Sequence, residues 1–285
     1  MATKTKEATE TPVLDEALTE TKALTTKASS YEEDAGSGFE NMDATYFKIP
    51  FYMILQKLSP QADEDNQEYM PGAKAGMLLH SVAKTLHDGK ESGITVIPLH
   101  TEKKYMEWIP RVQGGGLVGV YAPDDPKVLK LIRGHSEFDK ITTEDGNELK
   151  MTFNVFCLVI HEDGTTEPVV IPFTSANIGP FKEWMGLARS LTFINAEGKE
   201  KSKPLYSHVY RLKTKFNENK KGTWYGWVIA FEGGSEESAL VATDSDLYHA
   251  AKEFRNMITS GQAQADTSSL SDDTAESNDG SPKAF

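Results

Sequence analysis

The sequence predicts a mainly β protein: an antiparallel sheet, closed or half-open, with one helix set between two groups of strands and another near the C-terminus. Three observations predict it. Apolar and polar residues alternate with the two-residue period of half-buried strands in several stretches, most clearly over 205–216. Turn-forming clusters such as His161-Glu162-Asp163-Gly164 separate these stretches. Helical spacing of apolar residues is sustained only over 175–195 and 247–258.

Residues 1–43 are rich in Thr, Glu, Lys and Ala and have no aromatic before Tyr31, too little apolar surface to offset chain entropy, so they are expected to be a disordered arm. A single domain is expected over 44–260, beginning with the apolar run 46–55. A polar loop follows over 59–72, then a short strand over 77–82. Residues 94–99 form another strand that runs on into 103–111. The Gly114-Gly115-Gly116 triplet reads as a flexible turn: no helix signal and no Lys-Ser/Thr follows it, which excludes a P-loop. A short helix is predicted over 126–132, and strands over 148–160 and 166–173 pair as a hairpin. Phe181, Trp184, Ala188 and Leu191 fall on one helical face, with Pro180 in the first turn. A second hairpin spans 205–231, turning at 217–222. The last helix opens at Thr243-Asp244-Ser245-Asp246, which matches a capping box, presents Leu247, Ala251, Phe254 and Ile258, and stops at Gly261. Residues 261–285 are expected to be a disordered acidic tail.

Charge is unevenly distributed. The chain of 285 residues has a formal net charge of -13, yet residues 199–228 hold eight cations against two acids, Glu200 and Glu218. Tyr206, Tyr210, Phe216, Trp224, Tyr225 and Trp227 are interleaved with Arg211, Lys213, Lys215, Lys220 and Lys221. A smaller copy of this pattern is Lys103, Lys104, Tyr105, Trp108 and Arg111. Cations neutralise phosphates and flat rings stack on unpaired bases, so the pattern points to a single-stranded nucleic-acid surface. Tyr105, Trp108, Tyr206, Tyr210, Trp224, Tyr225 and Trp227 are the stacking candidates. Trp224 and Trp227 are an odd number of residues apart, so on a strand they face opposite sides. The element order is compatible with an elaborated OB-like barrel, whose basic groove binds single strands.

Other chemistries find less support. The one cysteine, Cys157, lies in an apolar run, so no internal disulfide is expected, and a soluble protein of a reducing compartment follows. No apolar run approaches a membrane span, and no membrane partner is expected. The seven histidines have no metal-site spacing, so neither metal nor cofactor is expected. No nucleophile elbow is present, and no catalytic residue is assigned. Glu148-Leu149-Lys150 matches the E-x-K element of metal-dependent nucleases, with Asp124, Asp125 or Asp139 as the upstream acid, which keeps such a nuclease as an alternative.

Residues 58–61 (LSPQ), 105–118 (YMEWIPRVQGGGLV), 207–212 (SHVYRL) and 222–227 (GTWYGW) resemble a family of tailed-phage single-stranded-DNA-binding proteins found in replication and recombination modules. The resemblance covers roughly 45–258. It implies a non-catalytic protein acting on single-stranded DNA in the cytoplasm of the infected bacterial host. The acidic end, with Asp272, Asp273, Glu276, Asp279 and the final Phe285, is similar to the tails of single-stranded-DNA-binding proteins that dock on replication or recombination partners. Here Lys283 interrupts the run of acids before Phe285. A phage structural or host-interaction protein is a further alternative, and the sequence sets no oligomeric state.

Overall fold

The computed structural model describes residues 37–38, 49–110, 113, 115–136, 139–220, 222–265 and 267. The arm over 1–43 and the tail beyond 267 therefore lie outside the described residues, apart from residues 37–38. Among the described residues the fold is mainly β with few helices.

Seven strands form the main sheet. In chain order they are β4 (Ile94–Trp108), β5 (Leu117–Tyr121), β6 (Ile141–Thr142), β7 (Glu148–Ile160), β8 (Thr166–Thr174), β11 (Tyr210–Asn219) and β12 (Gly222–Phe231). The order is β12-β11-β4-β7-β6, with β5 on β4 and β8 on β7, and every pairing is antiparallel. The sheet does not close, so the half-open alternative describes it. Two small sheets flank it: β1 (Tyr52–Ile54), β2 (Leu78–His80) and β3 (Leu86–His87), and the pair β9 (Thr192–Ile194) and β10 (Glu200–Ser202).

The middle of the sheet, at β4 and β7, is buried on both faces because helices and the small sheet β1–β3 cover it. On β7, Val155, Cys157 and Val159 join Phe181 and Trp184 of helix α2 (Ile178–Ser190), with Ile94 and Val96 of β4. Their alternates Phe156 and Leu158 pack toward Ala251 and Ile258 of helix α4 (Asp246–Thr259), with Ile97 and Leu99. A strand covered on both faces loses its polar alternation, hence the apolar run around Cys157. A bulge between Pro98 and His100 shifts the register of β4 by one residue. After it the even-numbered Met106 and Trp108 point to the α4 side, where the odd-numbered Ile97 points before it and Leu99 within it.

Helix α1 (Pro126–Ile132) starts with Asp125, whose side chain accepts from Lys127 N, and with Pro126 in its first turn. The short α3 (Glu236–Ala239) is closed by a capping box between Ser235 and Ser238. At α4 the expected box does not form; Ser245 alone caps, accepting from Tyr248 N at 3.2 Å. The stop at Gly261, with φ 78°, is as expected. Packing continues past it: Ala263 is buried and Ala265 bridges Ile49. No helix among the described residues is long and apolar enough to cross a membrane.

Candidate nucleic-acid interface

The hairpin β11–β12 carries the densest basic and aromatic pattern of the sequence. It differs from expectation at both ends. Leu205–Ser207 is a 3₁₀ turn after Pro204, and the strand begins only at Tyr210. The turn is shorter than the polar stretch suggested, because Asn219 pairs with Gly222 and only two residues link the strands. Gly222, at φ 145°, donates its N–H to Asn219 Oδ1 at 3.2 Å.

Register decides what each face presents. Tyr210, Leu212, Thr214 and Phe216 are opposite Phe231, Ile229, Trp227 and Tyr225 on the inner face. Arg211, Lys213, Lys215 and Asn217 are opposite Ala230, Val228, Gly226 and Trp224 on the outer face. The two tryptophans do face opposite sides. Trp227 is 4% exposed and its ring lies 6.1 Å from Phe173. Trp224 is half-buried on the outer face, where Gly226 leaves room for its indole: a Cβ there would come within 3.4 Å of Nε1.

Several stacking candidates turn out to be core. Tyr105, Trp108, Tyr210 and Trp227 are buried, so they are corrected from surface rings to packing residues. Burial pushes the Tyr210 phenol up to about 12. Tyr206 is in the 3₁₀ turn and packs at 5.2 Å on Tyr248 of α4. Trp224 and Tyr225 remain half-buried, and Phe216, which was not among the stacking candidates, is 44% exposed.

The cations divide as well. Arg211 makes a bidentate pair with Glu232, Nε–Oε2 2.8 Å and Nη2–Oε1 2.9 Å, and donates to Ser92 O. Arg211 and Lys213 line a shallow groove of about 470 Å³ together with Glu91 and Glu232. Two acids balance two cations there, so the groove itself is not an anion site. Toward the tip, Lys215 and Lys220 are exposed. Lys221 and Arg111 lie outside the described residues, as do Asp272, Asp273, Glu276, Asp279 and Phe285. Lys104 is 3.5 Å from Glu102, and Lys103 lies over Tyr105 at 5.2 Å.

The second basic stretch does not adjoin the hairpin. Leu212 pairs with Ile94 at the start of β4, and β11 runs on from there, away from β4. Lys103 is nine residues along β4 in the opposite direction, roughly 30 Å at the strand rise. The register thus separates the two stretches instead of lining one groove with both.

Two cations that sequence inspection passed over do reach the tip. Lys57, in the loop after β1, lies over Phe216 at 5.5 Å, and Lys90, in the loop before β4, lies over Tyr225 at 4.7 Å. Both are distant in sequence from the hairpin, so no local pattern marks them.

The E-x-K element is arranged as an ion-pair cluster. Glu148 lies 2.7 Å from Lys140 and 2.9 Å from Lys150. Asp125 caps α1, and Asp139 accepts from Ser136 N at 2.7 Å. Among the described residues no group of three His, Cys, Asp or Glu is placed to hold a metal ion.

An open, mainly antiparallel β-protein with a basic, aromatic hairpin at one edge of its sheet is the class that fold and site define. Residues 19–264 match the Pam3 phage gp34-like proteins, and the chain belongs to that phage family. No curated protein and no solved structure matches it.

Proposed function

We propose that the protein is a non-catalytic single-stranded-DNA-binding protein of a phage replication or recombination system. The observation that carries this reading is the outer face of the β11–β12 tip. Lys215 shares that face with the half-buried Trp224, beyond the charge-balanced groove that holds Lys213, and Lys220 stands at its end, on a chain that is acidic overall. Lysines spaced along a strand track a phosphate backbone, and an indole offers a base-stacking surface that does not discriminate sequence. Phage membership fits this setting.

The test is a gel shift with full-length protein, single-stranded and duplex oligonucleotides, with and without Mg²⁺. Binding of the single strand without cleavage is expected, falling linearly on a log–log plot against salt. Cleavage in Mg²⁺, equal affinity for duplex, or indifference to salt overturns the proposal.

A further inference from the structure

Phe216 and Tyr225 are direct cross-strand partners on the inner face of the tip, opposite Lys213, Lys215 and Trp224. Their rings meet edge to face at 5.6 Å. Lys57 and Lys90 lie against these two rings. Each lysine is next to a residue bonded to the hairpin. Gln56 Nε2 donates to Tyr225 O at 2.9 Å, and Tyr225 N donates to Gln56 Oε1 at 2.8 Å. Gly89 O accepts from Thr214 N at 2.7 Å. Asp88 accepts from Lys90 N at 2.9 Å, fixing that turn. Gly76 packs so tightly here that a Cβ would stand 2.6 Å from the Tyr225 ring and 2.5 Å from the Lys90 stem.

Two loops are therefore bonded to the hairpin beside the residues that bring a cation onto a ring, while Phe216 stays substantially exposed. An exposed phenylalanine adds little to a core, and an exposed cation–ring contact is weak beside a stacked base. Glu218 is on the same face, one step further out toward Asn219.

We infer that Phe216, Tyr225, Lys57 and Lys90 form a second stacking subsite for single-stranded DNA, so that a bound strand passes over the tip and touches both faces. This inference rests on the reading that the hairpin binds single strands. In the free protein each lysine covers its ring. On binding, a base takes the ring face and the ammonium, on its flexible stem, moves to the neighbouring phosphate.

Anisotropy titrations of full-length protein over a salt series, with labelled oligothymidylate and an abasic strand of equal length, test this. Phe216→Leu keeps an apolar side chain and removes the ring. It is expected to weaken binding to oligothymidylate by roughly 5- to 140-fold and to leave abasic-strand affinity unchanged. Lys57→Gln and Lys90→Gln are each expected to lower the salt slope by about 0.7 on both strands. If the wild type binds while all three variants match it, the subsite is overturned and the binding reading stands. If the wild type binds neither strand, both fall. If Phe216→Leu loses an acidic, phenylalanine-ended peptide but no DNA affinity, the patch is a protein-docking surface and the proposal is overturned.

Discussion

At the Trp108 end of β4, Glu107 is 1% exposed and accepts three hydrogen bonds: from Tyr121 at 2.7 Å, Lys127 at 2.7 Å and Asn147 at 2.9 Å. Burial alone would raise its carboxyl; the bonds from Asn147, Lys127 and Tyr121 outweigh burial and hold it at about 2. The same bond to Glu107 pushes the Lys127 ammonium up. At the far end, the β11–β12 tip has exposed Lys215 and Lys220, with Lys57 and Lys90 resting on aromatic rings. The first cluster ties β4, β5, α1 and the β6–β7 turn together. At the second, Lys57 and Lys90 rest on rings, and Lys215 and Lys220 are exposed, with Glu218 on the opposite face of the strand from Lys215. Charge committed to partners within the chain holds the fold, and charge left over is available to a partner outside it.

The sharpest way to break this comparison uses the two tryptophans of one strand. Trp227→Ala should destabilise the protein by about 3–5 kcal/mol, the usual cost of emptying a large core site. Trp224→Ala should leave the melting temperature nearly unchanged and weaken single-strand binding by about 1–3 kcal/mol. Denaturant melts and anisotropy on the same preparations separate the effects. If stability and affinity fall together in both variants, the outer face has no stacking role of its own.

Glu107→Gln tests the committed cluster. It should destabilise by about 2–3 kcal/mol at neutral pH, the scale of hydrogen bonds to a charged group, and leave the salt slope of DNA binding unchanged. Because the folded carboxyl titrates below its ordinary 4.5, its stabilisation is complete above that value and is lost as pH falls toward about 2. The gap between wild type and variant should therefore close over that window. A gap independent of pH would assign the effect to packing alone.

How much of this was legible in the sequence depends on whether the signal was local. The strand 148–160 and the helix 126–132 emerge with the predicted bounds, because an apolar run and an Asp-Pro start are local features. The β9–β10 pair was missed because it is exposed throughout and has no buried face to create alternation. Opposite facing of Trp224 and Trp227 followed from strand period, but which one enters the core depends on α2, whose Phe181 and Trp184 pack on that face. Tyr105 and Trp108 read as stacking candidates because Lys103, Lys104 and Arg111 share their predicted strand; β5, α1 and α4 bury them through contacts that no local pattern encodes. The Glu107 cluster gathers partners 14, 20 and 40 residues away, and Lys57 and Lys90 reach the tip from separate loops.

The uncommitted cations can be titrated directly. The double substitution Lys215→Gln, Lys220→Gln should lower the salt slope by about 1.4, two single-strand phosphate contacts, without changing the melt. Lys130, paired at 2.8 Å with Glu144, is the control: Lys130→Gln should leave the slope as it is. Equal slopes in all three proteins would mean that the tip does not meet the phosphates.

The smallest expected effect concerns the acidic end of the chain. Residues 268–285 contain Asp272, Asp273, Glu276 and Asp279 against Lys283. The cut belongs after Thr267, because Ala263 is core and Ala265 bridges Ile49, so removing them would disturb packing. A tethered anionic segment competes with DNA for unpaired cations at a high effective concentration. Its Coulomb pull fades once the screening length falls to about 8 Å near physiological salt. Deletion of 268–285 should therefore leave stability unchanged and tighten single-strand binding by about twofold at low salt, with little change at physiological salt. Removal of Phe285 alone should leave DNA affinity as it was, since it takes away no acidic side chain, while reducing capture of a purified replication or recombination protein in a pull-down. Titrations of full-length, truncated and Phe285-deleted protein at two salt concentrations check the first half. Weaker binding after truncation would mean that the acidic segment supports the interface instead of competing for it. Equal capture by all three proteins would mean that partner docking lies elsewhere on the chain.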